Sequence, residues 1–550
     1  MDSNGYSMNT GFYNIGSALS ESAGCPAWLT PAGRSKYDTA WIGKWHLSNV
    51  QTSGAPEDGL ISQYGFTNLK SIPDAPAGIA SPAGWVNEGT EGGPITTTKF
   101  GAENYLSDQS VSSRFETWAA DKASTGQTPW FCGVSFVNPH DIAFGPYCFG
   151  LTSGDFQPPA LAGPGFHQGP VEYAAPPVGG DPTKDIPAQS SYNIFTASAL
   201  PKDAGLGTWN GDDSLAYTAY ASSGKPDLQL TFRQLVYKLD GRVVPKFTDA
   251  TKWQNGWNTF LNYYYWMHAC ADIQVGRVLT SLSAGGRTLG NNTVILFLSD
   301  HGEYGGSHAL AGKGGAVYDE SIHVPLYISY PSQRTTQTQV KYRSQMVSSV
   351  DLLPFILTLA CGSPTYWSQT GKPFTYLGGR ESVYDFLFTA TPTLRRTVTV
   401  GGTTLQYILH TYDEGSAQGG TALDLTYSAA TPPPPGHIIC MRTQTKDSAG
   451  NYAGAKIAKY SFWQCGTTLP DTAQPQQYEF YDYLAASGSG PGNLNELGND
   501  YFTSTRYSAF KTAFDGVLSG TELYGALPGT LSTVQAQART LYLSIYGSGC

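Results

Sequence analysis

Residues 293–303 read Thr-Val-Ile-Leu-Phe-Leu-Ser-Asp-His-Gly-Glu, and this stretch decides the fold class. Its opening part, 293–298, is a continuous apolar run of strand length, without the alternation of a strand that has one face in water. Such a run predicts a strand covered on both faces, which is typical of parallel sheets. The clearest helical spacing of apolar residues, over 257–282, comes just before it and ends at the pair Gly285-Gly286.

Outward from that stretch, predicted strands and helices alternate, and this alternation predicts an α/β fold. Beyond about residue 375 the pattern changes to short strands. We therefore predict a mostly parallel central sheet flanked by helices, followed by a small C-terminal antiparallel α+β subdomain. The predicted elements are strands at 37–43, 129–137 and 324–330, a helix at 350–359, and C-terminal strands at 397–411, 438–442, 458–463 and 478–483.

The same pattern sets the predicted domain boundaries. Residues 1–375 form the α/β domain and residues 376–550 the C-terminal subdomain. Two stretches of the first domain, at about 50–125 and 145–255, are rich in Gly, Pro, Ser and Thr and show few periodic segments, so we expect long loop insertions there. Residues 1–36 are polar, and we expect them to be irregular.

The charge balance excludes several classes of protein. Charged residues make up 13 % of the 550, against about 25 % in a typical soluble domain. The net charge is −10 and basic residues do not cluster, so the chain is not expected to bind nucleic acid. We find no apolar run of transmembrane length and no signal peptide. The low-charge composition favours a secreted, cell-surface or periplasmic protein.

The cysteines leave the redox state open. Eight are present and none forms a Cys-x-x-Cys pair, so a zinc ribbon or a thioredoxin-like site is excluded. Cys440 with Cys465, and Cys132 with Cys148, could each form a disulfide in an oxidising compartment. Free buried thiols are the alternative for both pairs.

Asp300 and His301 directly follow the 293–298 run. In open α/β sheets, ligands bind at the carboxyl ends of the strands. A carboxylate and an imidazole at such a place suit a divalent cation. An ordinary Asp–His turn without metal is the alternative.

Basic side chains follow the other apolar runs. Lys44 and His46 follow the run at 37–43. They are two positions apart, so in an extended chain their side chains point to the same side and could bind an anion together. A solvated lysine and a hydrogen-bonded core histidine are the alternative. His140 follows the 129–137 run, and Lys313 follows the Asp-His pair. Because several predicted strands release such residues at their carboxyl ends, we expect one composite site.

The order and wording of these motifs resemble the type I sulfatases of the alkaline phosphatase superfamily, from about residue 9 onward. The most specific matches are YDTAWIGKWHL and SDHGEYGGSH, in that order. They occupy 37–47 and 299–308, with Lys313 and YDESIHVP at 318–325 after the second. Shorter matches are NPH at 138–140, ADIQVGRVL at 271–279, SVDLLP at 349–354, and EFYDY at 479–483 followed by Asn493-Leu494.

The resemblance implies a hydrolase of sulfate esters, acting on a small molecule or a glycan. Asp300 and His301 would supply half of a metal shell, in this family usually for calcium. Lys44 and Lys313 would bind the sulfate oxygens, where two cations offset the charge of the anion.

The resemblance also implies two histidine roles and exposes one gap. His46 would sit beside the nucleophile and help to break down a covalent sulfate intermediate, and His140 would protonate the leaving alcohol. The family's paired aspartates and its Cys/Ser-x-Pro-Ser/Ala-Arg motif, the source of the formylglycine nucleophile, have no counterpart here. Cys25 is followed at +4 by Leu29 instead of arginine, so it is not expected to be the nucleophile.

Three explanations of that gap follow. The sequence is part of a longer sulfatase, as the similarity of residues 9–11, Asn-Thr-Gly, to the segment after the nucleophile suggests. Or it is one piece of a split enzyme that needs a companion chain. Or it is a non-catalytic structural or binding protein with a sulfatase fold. Among enzymes, a phosphonate or phosphodiester hydrolase of the same superfamily is the alternative activity.

Overall fold

The structure is a computed structural model. It describes residues 14–20, 37–45, 62–66, 68–72, 107–126, 129–136, 139, 224–226, 250–305, 307–310, 312–334, 341–364, 374, 377–413, 437–461, 478–519 and 540.

Helices and strands alternate in the first part of the chain, and strands dominate the second. The helices are α1 (Ile15–Ser20), α2 (Ser107–Thr125), α3 (Ala250–Ser281), α4 (Asp319–Ile322), α5 (Pro331–Arg334), α6 (Leu352–Cys361), α7 (Val383–Phe388) and α8 (Tyr507–Ser519). The strands are β1 (Asp38–Lys44), β2 (Asn68–Ile72), β3 (Trp130–Ser135), β4 (Ile295–Leu298), β5 (Leu326–Ser329), β6 (Thr397–Val400), β7 (Thr403–Asp413), β8 (His437–Thr443), β9 (Ala455–Ser461) and β10 (Tyr478–Asp482).

The chain divides into two compact units. One comprises Met1–Leu200, Asp240–Leu298 and Leu326–Val340, and the other comprises Pro201–Leu239, Ser299–Pro325 and Lys341–Cys550. The 299–325 segment, which starts directly after β4, therefore groups with the C-terminal part of the chain. The boundary predicted from the sequence at 375/376 stays a prediction.

The first unit contains the predicted parallel sheet, in the order β2-β1-β3. Both neighbours of β1 run parallel to it, and Gly43 lies opposite Ser135 at the carboxyl ends of β1 and β3. Buried Ala40 and Ile42 of β1 pack against a helix. Parallel strands with a helical cover confirm the predicted α/β class.

Helix α2 supplies that cover, and the sequence analysis missed it because 50–125 was expected to be loop. Its buried residues Val111, Phe115 and Ala119 recur one helical turn apart and form one cluster with Ala40 and Ile42 of β1. Most other positions of α2 are polar, so few apolar residues mark the helical spacing in the sequence. Strand β2 falls in the same stretch, which is therefore not a pure loop insertion.

Helices α2 and α3 are also joined by polar contacts. Ser112 donates to Gln274 Oε1 at 2.7 Å, in a buried position. Arg277 binds both carboxylate oxygens of Glu116, at 3.2 and 3.1 Å. Two parallel N–H···O bonds of this kind fix the relative rotation of the helices better than a single contact does.

Strand β4 differs from the prediction. It pairs antiparallel with β5, so the covered parallel strand expected for 293–298 is wrong. Phe297 and Leu298 remain 43 % and 42 % exposed, as does Tyr327 of β5 at 56 %. Ile295 alone in this run packs against the cluster under the parallel sheet. A short apolar run cannot by itself distinguish these pairings.

The C-terminal sheet is antiparallel throughout, in the order β10-β9-β8-β7-β6, as predicted. On one face, Ile439, Ile457 and Phe480 pack with Phe510 and Phe514 of α8. This helix was not predicted. Because side chains alternate along a strand, the next residues in each strand point to the opposite face.

That opposite face is also buried. Ile438, Cys440, Ala458 and Tyr460 form a cluster with Val317 of the 299–325 segment. The sheet is thus covered by α8 on one side and by this segment on the other. All residues of β8 and β9 except Arg442 and Lys459 are therefore buried.

Two further expectations can be compared with the structure. Cys132 and Cys440 carry free thiols, so neither candidate disulfide is present. Burial raises the pKa of the Cys440 thiol to about 12, so it stays protonated at neutral pH. Within the described residues, no helix has both the length and the apolar character needed to cross a membrane.

We predict that acid destabilises the protein partly through His410 of β7. Burial, followed by the nearby Lys456 charge, lowers the pKa of His410 to about 4. The unfolded chain binds this proton first, so the stability contribution is present above about pH 6.5 and lost as pH falls towards 4. Between pH 7 and 5 the loss is at most about 2 kcal/mol.

Urea denaturation of wild type and His410→Asn at both pH values measures this loss. The variant should lose less stability than wild type between pH 7 and 5. Equal losses in the two proteins would contradict the assignment to His410.

Candidate active site

Lys44 ends β1, and close packing of β1 against β3 fixes its backbone. The preceding Gly43 has φ +106°, and a Cβ there would lie 1.9 Å from the carbonyl oxygen of Ser135. Only glycine fits such a position. The indole Nε1 of Trp41 donates to the carbonyl oxygen of Lys44 at 3.0 Å.

An aromatic cluster anchors the chain where it leaves β1. The buried ring of Trp45 lies 5.0 Å from Trp41, 5.4 Å from Tyr64 and 5.7 Å from Phe66, in edge-on or tilted contacts. Such aromatic pairs stabilise beyond the area they bury. In the predicted motif, Gly43 therefore allows close strand packing and Trp45 anchors the chain, while the anion-binding role of Lys44 stays a prediction.

Asp300 and His301 form a donor pair after β4. The Asp300 side chain is 83 % exposed, and its Oδ2 lies 3.4 Å from Nε2 of His301. Nδ1 of His301 donates to the carbonyl oxygen of Gly302 at 2.9 Å, so this nitrogen carries a proton. A carboxylate oxygen and an imidazole nitrogen are ligand types found in the shells of divalent cations.

The pair is only part of such a shell. Across the described stretches of the chain, no three His, Cys, Asp or Glu side chains come together as a metal site. Calcium normally takes six to eight oxygen ligands. The half-site that the sequence resemblance implied therefore stays a prediction.

Gly302 fixes the turn after this pair. Its N–H donates to the carbonyl oxygen of Ser321 at 2.8 Å, and a Cβ would lie 1.9 Å from the carbonyl oxygen of Glu320. The turn at Asp300 and the motif at 318–325 are thus packed backbone against backbone. Any larger residue at Gly302 would separate them.

Asp319 attaches the 299–325 segment to the C-terminal sheet. Arg442 of β8 binds both of its carboxylate oxygens, at 3.0 and 2.8 Å, and Lys456 of β9 binds Oδ1 at 2.6 Å. Lys456 is fully buried and also reaches the carbonyl oxygen of Val317 and the carboxylate of Glu496. Burial alone would raise the pKa of Asp319, but Lys456 and Arg442 outweigh it and hold that pKa below its usual range.

Glu479 of the EFYDY motif lies beside this group, fully buried. It accepts hydrogen bonds from the hydroxyls of Tyr318, Tyr460 and Tyr481. Lys225 lies 3.4 Å from its carboxylate and over the rings of Tyr318 and Tyr481. Burial would raise the pKa of Glu479, but Lys225 and the hydroxyls lower it overall, so the carboxylate is charged.

His308 completes the packing of the segment. It adopts a left-handed conformation with φ 55°, stacks on Tyr318 at 3.6 Å and places Nε2 3.4 Å from Glu320. Burial lowers its pKa, in spite of the carboxylate, so the ring is neutral at neutral pH. The motif residues Asp319, Glu479 and His308 were quoted in the sequence analysis without a role, and each of them joins parts of the chain that are separate in sequence or in secondary structure.

The structure places four of the six predicted site residues. Lys44 lies in the first unit, and Asp300, His301 and Lys313 lie together in the second. His46 and His140 fall outside the described residues, although Pro139 before His140 is described. The predicted convergence of all six residues stays a prediction.

A family model named Sulfatase matches residues 3–363 of the chain. The chain belongs to the sulfatase family. The motifs at 37–47 and 299–325 lie inside the matched range, so the resemblance inferred from the sequence is confirmed.

Individual relatives match shorter regions. The chain is 37 % identical to the sulfatase YidJ of Escherichia coli over 97 residues, 18 % of each protein. It is 23 % identical to an arylsulfatase of Volvox carteri over 350 residues, 61 % of this chain and 42 % of that one. The chain thus spans less than half the length of these relatives. A phosphonate monoester hydrolase of Agrobacterium radiobacter is similar in structure, with a TM-score of 0.47 and 16 % identity over 90 % of this chain and 79 % of that one.

We predict that the buried ion pair at Lys456 is essential to stability. Lys456→Ala removes the cation bound to the buried carboxylate of Glu496 and one of the two cations bound to Asp319, and should lower the free energy of unfolding by about 3–5 kcal/mol. Lys511→Ala removes an exposed lysine of α8 that pairs with Asp515, and should cost less than about 1 kcal/mol. Denaturant titration compares the two, and equal losses would refute the structural role of Lys456.

We also predict that this chain alone binds divalent cations weakly, because Asp300 and His301 are too few ligands. Calorimetric titration with calcium chloride should show no submicromolar site. Any weak binding should disappear in Asp300→Ala. A tight site that survives that substitution would show that the cation is held elsewhere.

Proposed function

We propose that the protein hydrolyses sulfate esters, and that Lys44 at the end of β1 and Asp300 after β4 take part in this activity. The observation that carries this proposal is the Asp300–His301 pair, whose Oδ2 and Nε2 face each other at 3.4 Å on the segment that also bears Lys313. In a chain that belongs to the sulfatase family, this is the arrangement expected of a partial cation site beside an anion site. The substrate class is a small-molecule or glycan sulfate ester.

The proposal gives each residue a physical task. Lys44 and Lys313 bind sulfate oxygens, because ammonium groups offset the negative charge that the oxygens carry through the reaction. His140 donates a proton to the oxygen of the departing alcohol, a task suited to an imidazole near neutral pH. His46 assists the breakdown of the covalent sulfate intermediate.

A divalent cation, calcium in this proposal, would be held by the carboxylate of Asp300 and the imidazole of His301, and would add positive charge beside the sulfate. The sequence contains no match to the formylglycine motif, so we derive no nucleophilic step from these residues. We propose that the nucleophile and the remaining ligands come from a segment outside the 550 residues, on the same or a companion chain.

We further propose that residues 1–375 act as the catalytic domain and residues 376–550 as its C-terminal subdomain. We propose that the protein is secreted, on the cell surface or periplasmic.

Anion binding tests the proposal without requiring turnover. Isothermal titration with sodium sulfate at constant ionic strength should show binding that weakens about tenfold or more in Lys44→Ala and in Lys313→Ala, as expected when a charged hydrogen bond is lost. Sulfate binding that neither substitution weakens would overturn the proposed site. Tighter binding of a phosphonate monoester than of a sulfate ester would favour the phosphonate hydrolase alternative.

We predict that this chain alone gives no burst and no turnover of an aryl sulfate, because the covalent route lacks its nucleophile. Cys25→Ala should leave this result unchanged. Robust hydrolysis that Cys25→Ala abolishes would identify Cys25 as the nucleophile and overturn our interpretation of the missing motif.

A further inference from the structure

The backbone on both sides of Lys313 is held by two residues near the Asp300 turn. The carboxylate of Glu303 accepts the N–H of Gly312 at 2.6 Å and the N–H of Gly305 at 3.1 Å. The backbone N–H of Tyr304 donates to the carbonyl oxygen of Gly312 at 3.0 Å.

The hydroxyl of Tyr304 acts on the other side of Lys313. It lies 3.0 Å from the carbonyl oxygen of Gly314 and 2.6 Å from that of Ala316, and shares its proton between them. Tyr304 is itself buried, so this hydroxyl has a fixed position. We call the contacts of Glu303 and Tyr304 with residues 312–316 the Glu303–Tyr304 clamp.

Residues 312–316 depend on the clamp because they lie outside the regular hydrogen bonding of helices and strands. Gly312 and Gly314 both have φ +77°, so Lys313 sits between two left-handed positions and outside any helix or strand. A Cβ at Gly314 would lie 2.8 Å from the ring of Tyr412, so the chain is also confined from the sheet side. Side-chain acceptors and donors therefore replace the hydrogen bonds that regular structure would provide.

The chemistry of Glu303 suits this task. Burial raises the pKa of Glu303 to about 7, and Oε1 can accept both N–H groups whether the carboxyl is ionised or neutral. Glu303 follows His301 by two positions, so the clamp joins the backbone of the cation pair to the backbone of Lys313.

We propose that Glu303 and Tyr304 are positioning residues that hold Lys313 in place to bind a sulfate oxygen. This inference rests on the anion-binding role proposed for Lys313. Neither residue touches substrate in the proposal; each acts through the backbone of Gly312 and Gly314.

Protection of Lys313 from acetylation measures this directly. The full chain is treated with acetic anhydride over a range of sodium sulfate at constant ionic strength, and acetylation of Lys313 is followed by peptide mass spectrometry. In wild type, sulfate should slow the acetylation of Lys313. In Glu303→Ala, about tenfold more sulfate should be needed for the same protection, since both hydrogen bonds to the side chain are lost.

The isosteric variant separates geometry from charge. Glu303→Gln keeps an oxygen that can accept both N–H groups but carries no charge, so protection should return to within about twofold of wild type, well inside the effect of one lost hydrogen bond. Removing a negative charge near Lys313 by itself strengthens anion binding, so a loss in Glu303→Ala cannot come from the charge. Tyr304→Phe should give a smaller loss, because its backbone N–H contact remains. Asp515→Ala, which removes an exposed carboxylate of α8, is the matched control and should behave as wild type.

The outcomes distinguish this inference from the proposed function. If wild type is protected and Glu303→Ala is protected equally, the positioning role is overturned while the anion site stands. If Glu303→Gln is as defective as Glu303→Ala, positioning by the accepted hydrogen bonds is also overturned. If sulfate does not protect Lys313 in wild type, the proposed function fails, and this inference fails with it.

Discussion

The bond between Asp319 and the pair Arg442 and Lys456 is the contact on which the candidate site depends. It attaches the 299–325 segment, which carries Asp300, His301 and Lys313, to the C-terminal sheet. Lys456 has no exposed surface, so its charge is stable only because carboxylates and a backbone carbonyl surround it. Ionic groups buried in this way contribute less net stability than their Coulomb attraction suggests, but removing one partner is costly. The main effect of the contact between Asp319 and the two cations is therefore to fix the position of the 299–325 segment. Its net contribution to the stability of the folded chain is smaller.

The alternation of side chains along β8 and β9 makes this contact possible. Residues 439 and 457 face α8 and are apolar, whereas 438, 440, 442, 456 and 458 face the 299–325 segment and include both cations. A shift of β9 by one residue would turn Lys456 towards α8, and a shift of β8 would do the same to Arg442. The register of the C-terminal sheet thus decides whether Asp319 finds its partners. The C-terminal sheet therefore holds in place the 299–325 segment, which carries Asp300, His301 and Lys313 of the proposed site.

The sequence predicted most elements of the fold and fewer of their contacts. Strands β1, β3, β8 and β10 and helix α3 lie close to their predicted positions, because long apolar periodicity is a local signal. Helix α2 was missed although Val111, Phe115 and Ala119 show the spacing, since polar residues dominate the rest of it. The antiparallel pairing of β4 with β5 and the bond of Lys456 to Asp319 join residues far apart in the chain. No local pattern encodes such partners, so the candidate site residues were predictable from motifs while their supporting contacts were not.

The two lysines assigned to the anion are supported by the same physical device. Lys44 follows Gly43, whose positive φ and close approach to β3 fix the strand end, and Lys313 lies between Gly312 and Gly314. In both places the surrounding structure fixes the backbone through glycine, which admits conformations and contacts that a Cβ would forbid. A lysine side chain on a fixed backbone has only its own rotamers to lose on binding, about 2 kcal/mol. Loss of backbone freedom would add roughly 1–2 kcal/mol for each residue ordered. Under the proposed function, the glycines around each lysine therefore favour anion binding, because the entropy of ordering the backbone is lost on folding and not on binding.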